Sequence, residues 1–353
     1  MRFALSSEQR QFAAALADLL ADADVPAAAR AWAAGQHEPG LAIWRELAKA
    51  GVTALAVPQS CGGLDAGPVD LVVACEELGR QPLPGPVAES VAAVPVLLAG
   101  LAGLTGPAGL VGPGEAGSEQ AAAWLGELAA GEAIATLAMP PRLPYALDAD
   151  VAGLVLLADA GTAWRGLPRA RLRSADPARR LFEVWPAGPL ATGAAAAIAR
   201  AAAFGTLASA ALLLGAGRGL LDASVRHAGT RRQFGRPVGA FQAVKHALAD
   251  VTIGLEFARP LIHAAAIALG AGAPTADRDI SAARVACADA ARRAARTALQ
   301  VHGAIGYTQE CDISLWLAKA RALSSAWGSQ AEHRAVVLAA LTAPAEERTG
   351  PWD

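Results

Sequence analysis

Residues 222–250 read Asp-Ala-Ser-Val-Arg-His-Ala-Gly-Thr-Arg-Arg-Gln-Phe-Gly-Arg-Pro-Val-Gly-Ala-Phe-Gln-Ala-Val-Lys-His-Ala-Leu-Ala-Asp, and this stretch decides how the rest is read. One helix ends within it, Gly235, Pro237 and Gly239 break the chain into a short turn, and a second helix starts near Phe241. Arg231, Arg232 and Arg236 crowd the turn, with Gln233 and Gln242 beside them. Guanidinium forks grip phosphate oxygens two at a time, so this density of arginine suits a diphosphate. A solvated basic helix end, matched to the negative pole of the helix dipole, accounts for the same charges. Residue types alone leave both readings open.

Composition narrows the setting. The chain has 353 residues, 54% hydrophobic and only 5% aromatic, which points to alanine-rich helices in two or three packed layers or domains. Thirty basic against 32 acidic residues give a net charge of −2, so bulk charge indicates neither nucleic acid nor an anionic membrane as a partner. The four cysteines (Cys61, Cys75, Cys287, Cys311) lack Cys-x-x-Cys spacing and nearby His pairs, so reduced structural thiols are expected and no metal site. Met1-Arg-Phe-Ala-Leu-Ser-Ser-Glu runs into a helix start without the apolar core of a signal peptide, and a cytoplasmic protein is expected.

Along the chain, Ser6-Ser7-Glu8-Gln9 reads as a helix cap, followed by an apolar stripe through Phe12, Leu16, Leu19 and Leu20. Further helices are expected at 40–50, 67–78 and 87–102. The apolar run 91–111 is broken by Pro95, Pro107 and several glycines, which suits a buried helix plus loop better than a membrane span. The run 199–217, interrupted by Arg200 and mostly alanine, reads as a core helix. Between 134 and 190 the texture changes, and 151–157 and 181–185 read as strands of a small β domain. From 195 to 341 the pattern is long amphipathic helices, with Arg284, Arg292, Arg293 and Arg296 expected on polar faces. Gly215-Ala-Gly217-Arg-Gly219 looks superficially like a dinucleotide fingerprint, but it lies in helix-forming sequence with the wrong final spacing; small residues for close helix contact explain it.

Three segments carry a family resemblance. Arg231-Arg-Gln-Phe-Gly-Arg-Pro-Val-Gly-Ala-Phe-Gln242, running into Leu248-Ala249-Asp250, resembles the signature segment of the acyl-CoA dehydrogenases. Gln300-Val-His-Gly303-Ala304-Ile-Gly306-Tyr307-Thr308 resembles the Gln-x-x-Gly-Gly-x-Gly-Tyr/Phe turn of the same family. Residues 44–80, with Trp44, Gly51, Val57-Pro58, Cys61-Gly62-Gly63 and Glu76-Glu77-Leu78-Gly79-Arg80, are similar to its opening helical region. The similarity covers most of the chain outside roughly 135–190.

The resemblance implies an α+β, mainly α fold: an N-terminal helical domain at 1–130, a reduced β domain at 131–192, a C-terminal four-helix bundle at 193–341 and a loose tail at 342–353. It implies FAD as cofactor, with the flavin ring in one subunit and the diphosphate and adenosine gripped by its neighbour. By position, Arg231 meets the diphosphate, Gln233, Phe234 and Gln242 line the adenosine side, and Gln300, Gly303 and Ala304 continue that surface. Each residue type suits its place, with arginine for charge, amides for hydrogen bonds and small residues for close backbone approach. Ala304 stands where the family usually has glycine, and its methyl group is expected to crowd the ligand.

Departures from the family pattern are as informative. The base that takes the α proton of the thioester needs a carboxylate near the flavin ring. Counting from the Gln300 motif puts Trp327 at that position, and an indole nitrogen is a donor only. The place where some relatives keep their glutamate falls near Gly205, and no carboxylate occurs between Glu183 and Asp222. Thr206 stands about where a relative offers CoA an arginine. The Thr-Glu-Pro-x-x-Gly-Ser-Asp segment that covers the ring is missing where 135–142 jumps to 145–148. Glu310 and Asp312 are the nearest downstream acids, better suited to solvent or helix capping than to base work. Retained dinucleotide residues without ring cover or base imply the non-catalytic subunit of a heteromeric dehydrogenase, an α2β2 assembly with a homologous catalytic chain. Residues 300–312, followed by Leu315-Trp316-Leu317, resemble the actinobacterial steroid and cholesterol side-chain group of the family. An active homo-oligomer with a displaced base and a flavin-free scaffold stand as alternatives.

Overall fold

The computed structural model describes residues 4–104 and 115–343, so the expected tail beyond 343 and the end of the 91–111 run lie outside the described residues. The chain begins where the capping sequence places it. Ser6 Oγ accepts from the Gln9 amide (3.1 Å) while the Gln9 side chain accepts from the Ser6 amide (3.0 Å), which fixes the start of α1 (Ser7–Asp22). α2 (Val25–Ala33), α3 (Glu38–Lys49) and α4 (Pro68–Gly79) follow, and Leu16, Leu20, Leu47, Leu71 and Leu78 close their shared core. The expected 87–102 helix is present as a π turn, Glu89–Ala93, running straight into α5 (Val94–Leu101). Neither α2 nor α6 (Glu115–Ala130) is evident from the sequence, because their alanine-rich patterns give little periodic contrast.

A five-stranded sheet follows, in the order β1-β3-β4-β5-β2. β1 (Ala135–Ala138) pairs parallel with β3 (Leu154–Asp159), and β4 (Thr162–Leu172), β5 (Leu181–Ala191) and β2 (Ala146–Leu147) add antiparallel. β3 and β5 fall on the expected strands, and β5 runs further than 181–185. β4 escapes a sequence reading because its outward positions are Arg165, Arg169 and Arg171, and Pro168 sits at a register shift.

The C-terminal half is organised around α7 (Ala195–Thr230), which touches α4, α5, α8 (Gln242–Gly270), α9 (Ala276–His302) and α10 (Ile313–Leu323). The glycine cluster on α7 is a packing seam, as its sequence context implied. A Cβ at Gly215 would lie 2.0 Å from the Glu76 carbonyl oxygen, and one at Gly219 would lie 2.4 Å from that of Arg80, so α4 and α7 meet backbone to backbone. Ion pairs flank the seam: Arg218 reaches Glu76 (2.7 Å) and Glu77 (2.8 Å), and Arg80 reaches Asp222 (2.7 Å). α8 spends only part of its apolar surface inside, leaving Ile253, Phe257 and Leu261 as an exposed i, i+4, i+8 stripe. α11 (Gln330–Thr342) completes the chain.

One expectation is overturned. Arg292, Arg293 and Arg296 are exposed, but Arg284 is fully buried rather than on a polar face. Its Nη2 donates to the carbonyls of Leu323 (2.7 Å) and Ala326 (2.8 Å), at and just past the C-terminal end of α10, where carbonyls run out of i+4 amide partners. Burial pulls its pKa down to about 10. Helical periodicity cannot distinguish a charge facing water from one spent on a buried helix end.

Gly215→Ala tests the seam, since its methyl group must displace backbone: a loss of about 1–3 kcal/mol is expected by urea unfolding. Gly229→Ala, on the same helix with nothing within 4 Å of the added methyl, is expected to be neutral or slightly stabilising.

Candidate dinucleotide site and the space behind it

The arginine turn is a tight hairpin of β6 (Arg232–Gln233) and β7 (Arg236–Pro237). Its two loop residues, Phe234 (φ 50°) and Gly235 (φ 79°), are both left-handed, as a two-residue hairpin loop of this twist requires. Glycine adopts that conformation freely, whereas at Phe234 it costs about 1–2 kcal/mol. The strained phenyl ring is also 91% exposed. Among the described residues its one ring neighbour is Phe241, edge to face at 6.2 Å, and the Arg236 guanidinium stacks on Phe241 at 4.1 Å. Arg231, Arg232 and Arg236 are exposed, and among the described residues none of the three has a carboxylate partner.

Hairpin, start of α8 and last turns of α9 together bound a groove of about 640 Å³, lined by Gln233, Phe234, Phe241, Val244, Arg296 and Gln300 among others. Three of the seven expected cofactor residues, Gln233, Phe234 and Gln300, line it. Arg231 caps the end of α7 at the base of the hairpin. Gln242, first residue of α8, is exposed outside the groove lining, and Gly303 and Ala304 are exposed in the turn Gly303–Tyr307 that follows α9. Gly303 is left-handed (φ 68°) with open space where a side chain would stand. Sequence reasoning missed Phe241, Arg296 and Thr297; Arg296 lies one helical turn before Gln300, a spacing that could have found it. Free guanidiniums, an exposed ring and an open groove fit an adenosine diphosphate.

Toward the N-terminal end of α7, away from the hairpin, the two candidate base positions are in contact with each other. The Trp327 indole, 1% exposed, rests on Gly205, where an added Cβ would be 2.2 Å from the ring. One side chain therefore fills the space that a carboxylate at either position would use. Two successive left-handed residues, Trp327 (φ 58°) and Gly328 (φ 97°), turn the chain between α10 and α11 and aim the ring inward. Its Nε1 donates to Glu89 Oε1 (3.1 Å). Thr206 is buried too, its hydroxyl donating to the Ala202 carbonyl (2.7 Å). The space left among Glu89, Arg179, Lys319 and Trp327 is about 20 Å³, enough for one water molecule and not for a flavin ring or a thioester.

Glu89 is the acid that sequence reasoning overlooked, although it is the sole charged residue between Arg80 and Glu115. Burial pushes its carboxyl above the usual carboxylate range, opposed by the nearby Arg179 guanidinium and the indole hydrogen bond. Lys319, across the same space, is lowered by burial and donates to the Leu83 carbonyl (2.8 Å), with Asp176 at 3.5 Å. Glu310 and Asp312 are exposed and do not line this space; Asp312 is paired with Arg30 (2.6 Å).

Known proteins share this layout. Residues 6–132 match the N-terminal domain of acyl-CoA dehydrogenases and residues 192–342 match their C-terminal domain. The acyl-CoA dehydrogenase IpdE2 of Mycobacterium tuberculosis is 32% identical over 316 residues, covering 89% of this chain and 91% of that protein. Among solved structures, the ChsE4-ChsE5 complex from Mycobacterium tuberculosis superimposes with a TM-score of 0.77 at 22% identity, covering 98% of this chain and 100% of the matched one. The Tcur3481-Tcur3483 steroid ACAD G363A variant gives 0.78 at 21% identity, covering 94% and 96%.

Trp327→Ala empties a filled site and strips the buried Glu89 of its donor, so a loss of about 3–5 kcal/mol in urea unfolding is expected. Trp327→Phe, which keeps most of the volume but not the N–H, should lose markedly less. A change under about 1 kcal/mol for the alanine variant would mean that the indole does not fill this space.

Proposed function

This chain belongs to the acyl-CoA dehydrogenase family, and on that premise we propose that it is the helper subunit of a heteromeric FAD-dependent acyl-CoA dehydrogenase. It contributes the adenosine-diphosphate half of the FAD site to a homologous partner chain, which supplies the catalytic base and the flavin-ring pocket. The single observation that carries this reading is the Trp327 indole filling the space of both base positions, with about 20 Å³ left beside it.

When bound, FAD supplies the acceptor for the hydride that leaves the β carbon of the acyl thioester. This chain's part is binding and orientation. Arg231 neutralises the diphosphate, Arg232 and Arg236 adding positive charge at the same turn. Phe234 and Gln233 form one wall for the adenosine and Gln300 the other, and Gly303 and Ala304 give the backbone close approach. Gln242, at the start of α8, meets the cofactor from the open side. Removal of the α proton falls to the partner, since Glu89, the acid lining the space at the two base positions, is sealed under the indole. The apolar stripe of Ile253, Phe257 and Leu261 is the surface that the partner covers, in a cytoplasmic α2β2 assembly.

Similarity to a steroid ACAD and to the ChsE4-ChsE5 complex supports a steroid side-chain CoA thioester as substrate. Glu89 is the observation favouring the rival in which the chain acts alone, because an indole that swung out would leave a carboxylate facing the vacated space.

Purified alone, the chain is expected to be flavin-poor and inactive; coexpressed with its partner dehydrogenase, it should copurify with about one flavin per pair of unlike chains. Arg231→Ala should cut flavin affinity of the complex about tenfold, the loss of one charge-assisted contact. Flavin absorbance and thioester oxidation by the isolated chain would establish the rival instead.

A further inference from the structure

Two imidazoles lie under the arginine turn. His227, in the last turn of α7, and His302, the last residue of α9, stack with ring centroids 4.2 Å apart and planes at 28°. His302 Nδ1 is 2.8 Å from the Ala298 carbonyl, so that nitrogen donates and fixes the ring's orientation. The His227 carbonyl accepts the Arg231 amide (2.9 Å), which ties the ring pair to the base of the turn.

Opposing forces meet here. Both rings sit at helix C-termini, whose negative poles favour imidazolium. Burial, the neighbouring ring and the Arg231 guanidinium hold His227 below the ordinary histidine value. Among the described residues, the charged groups acting on His227 are His302 from α9 and Arg231 from the end of α7, and the packed elements α8 and Val238–Ala240 add none. Asp222, further back on α7, is committed to Arg80. Among the described residues His227 therefore has no carboxylate to stabilise its charged form, and it adjoins the Arg231 guanidinium, which has none either.

We propose that the stacked His227–His302 pair belongs to the anion site and that His227 takes up a proton when a dinucleotide diphosphate enters it, so that binding tightens as pH falls. This rests on the reading of the Arg231 turn as a diphosphate site and extends it. The sign follows from linkage. An anion favours the charged imidazolium, so the bound-state pKa of His227 lies above the free-state one and a proton is taken up between the two. Affinity is then greatest below the free-state pKa and reaches its lower plateau above the bound-state one.

ADP-ribose is a suitable probe, since its diphosphate diester stays fully ionised from about pH 6 to 8 and any pH dependence comes from the protein. Calorimetric titration of the full chain at about pH 6, 7 and 8, repeated near pH 6.5 in two buffers of different ionisation enthalpy, is expected to show binding roughly three- to tenfold tighter at pH 6 than at pH 8 and up to about one proton taken up. His227→Gln should flatten the pH profile, and uncharged adenosine should bind without pH dependence. Equal ADP-ribose affinity at both ends of the range with no proton uptake would overturn the proposal and leave the Arg231 site standing. Absence of binding at every pH, with Arg231→Ala indistinguishable from the parent chain, would remove the site and the proposal together.

Discussion

The contact between Trp327 and Gly205 constrains the rest of this molecule. It brings the turn after α10 against the middle of α7, and its hydrogen bond to Glu89 ties both to the π turn that precedes α5. A glycine on α7 is needed for the indole to lie flat there, and the indole in turn leaves no volume for a side chain, ring or thioester. A filled space gains dispersion contacts and loses the exposed polar groups a reaction needs. The fold is thus packed rather than open where the two candidate base positions meet.

A five-stranded sheet has to be held on the helical halves. Asp148, fully buried and left-handed (φ 51°), accepts from Trp32 Nε1 of α2 (3.0 Å) and from Arg180 Nε beside β5 (3.1 Å), and Arg180 also meets His37 and Asp150 (2.9 Å). Lys319 of α10 reaches Asp176 on the same loop as Arg180. Such buried ions add little net stability compared with apolar packing, because desolvation offsets their attraction. Their effect is directional: one arrangement pairs the charges, and misdocked arrangements strand them.

Much of the architecture was legible because periodicity, caps and breakers reported it directly. The Ser6 cap, the ends of the helices on either side of the arginine turn and the glycine seam of α7 all rest on local rules that tertiary context did not override. The family motifs made the arginine turn visible, and the exposed, strained Phe234 at its tip is a feature no residue count could reveal. What sequence hid is long-range: Trp327 and Gly205 are 122 positions apart and their contact is a fact of packing. Glu89 was overlooked inside an apolar run, and Arg284 was misread because a helical wheel cannot see the carbonyls that a buried guanidinium satisfies. β4 disguised itself by placing arginines on its outward face.

The most direct test of the central claim, that the redox ring is held outside this chain, is a structure of the flavin-loaded complex. The expected result is an isoalloxazine seated in the partner, the diphosphate at Arg231, and the Trp327 indole still on Gly205 with its N–H on Glu89. An indole swung away, with the ring nested in this chain and the Glu89 carboxylate at the substrate, would contradict it.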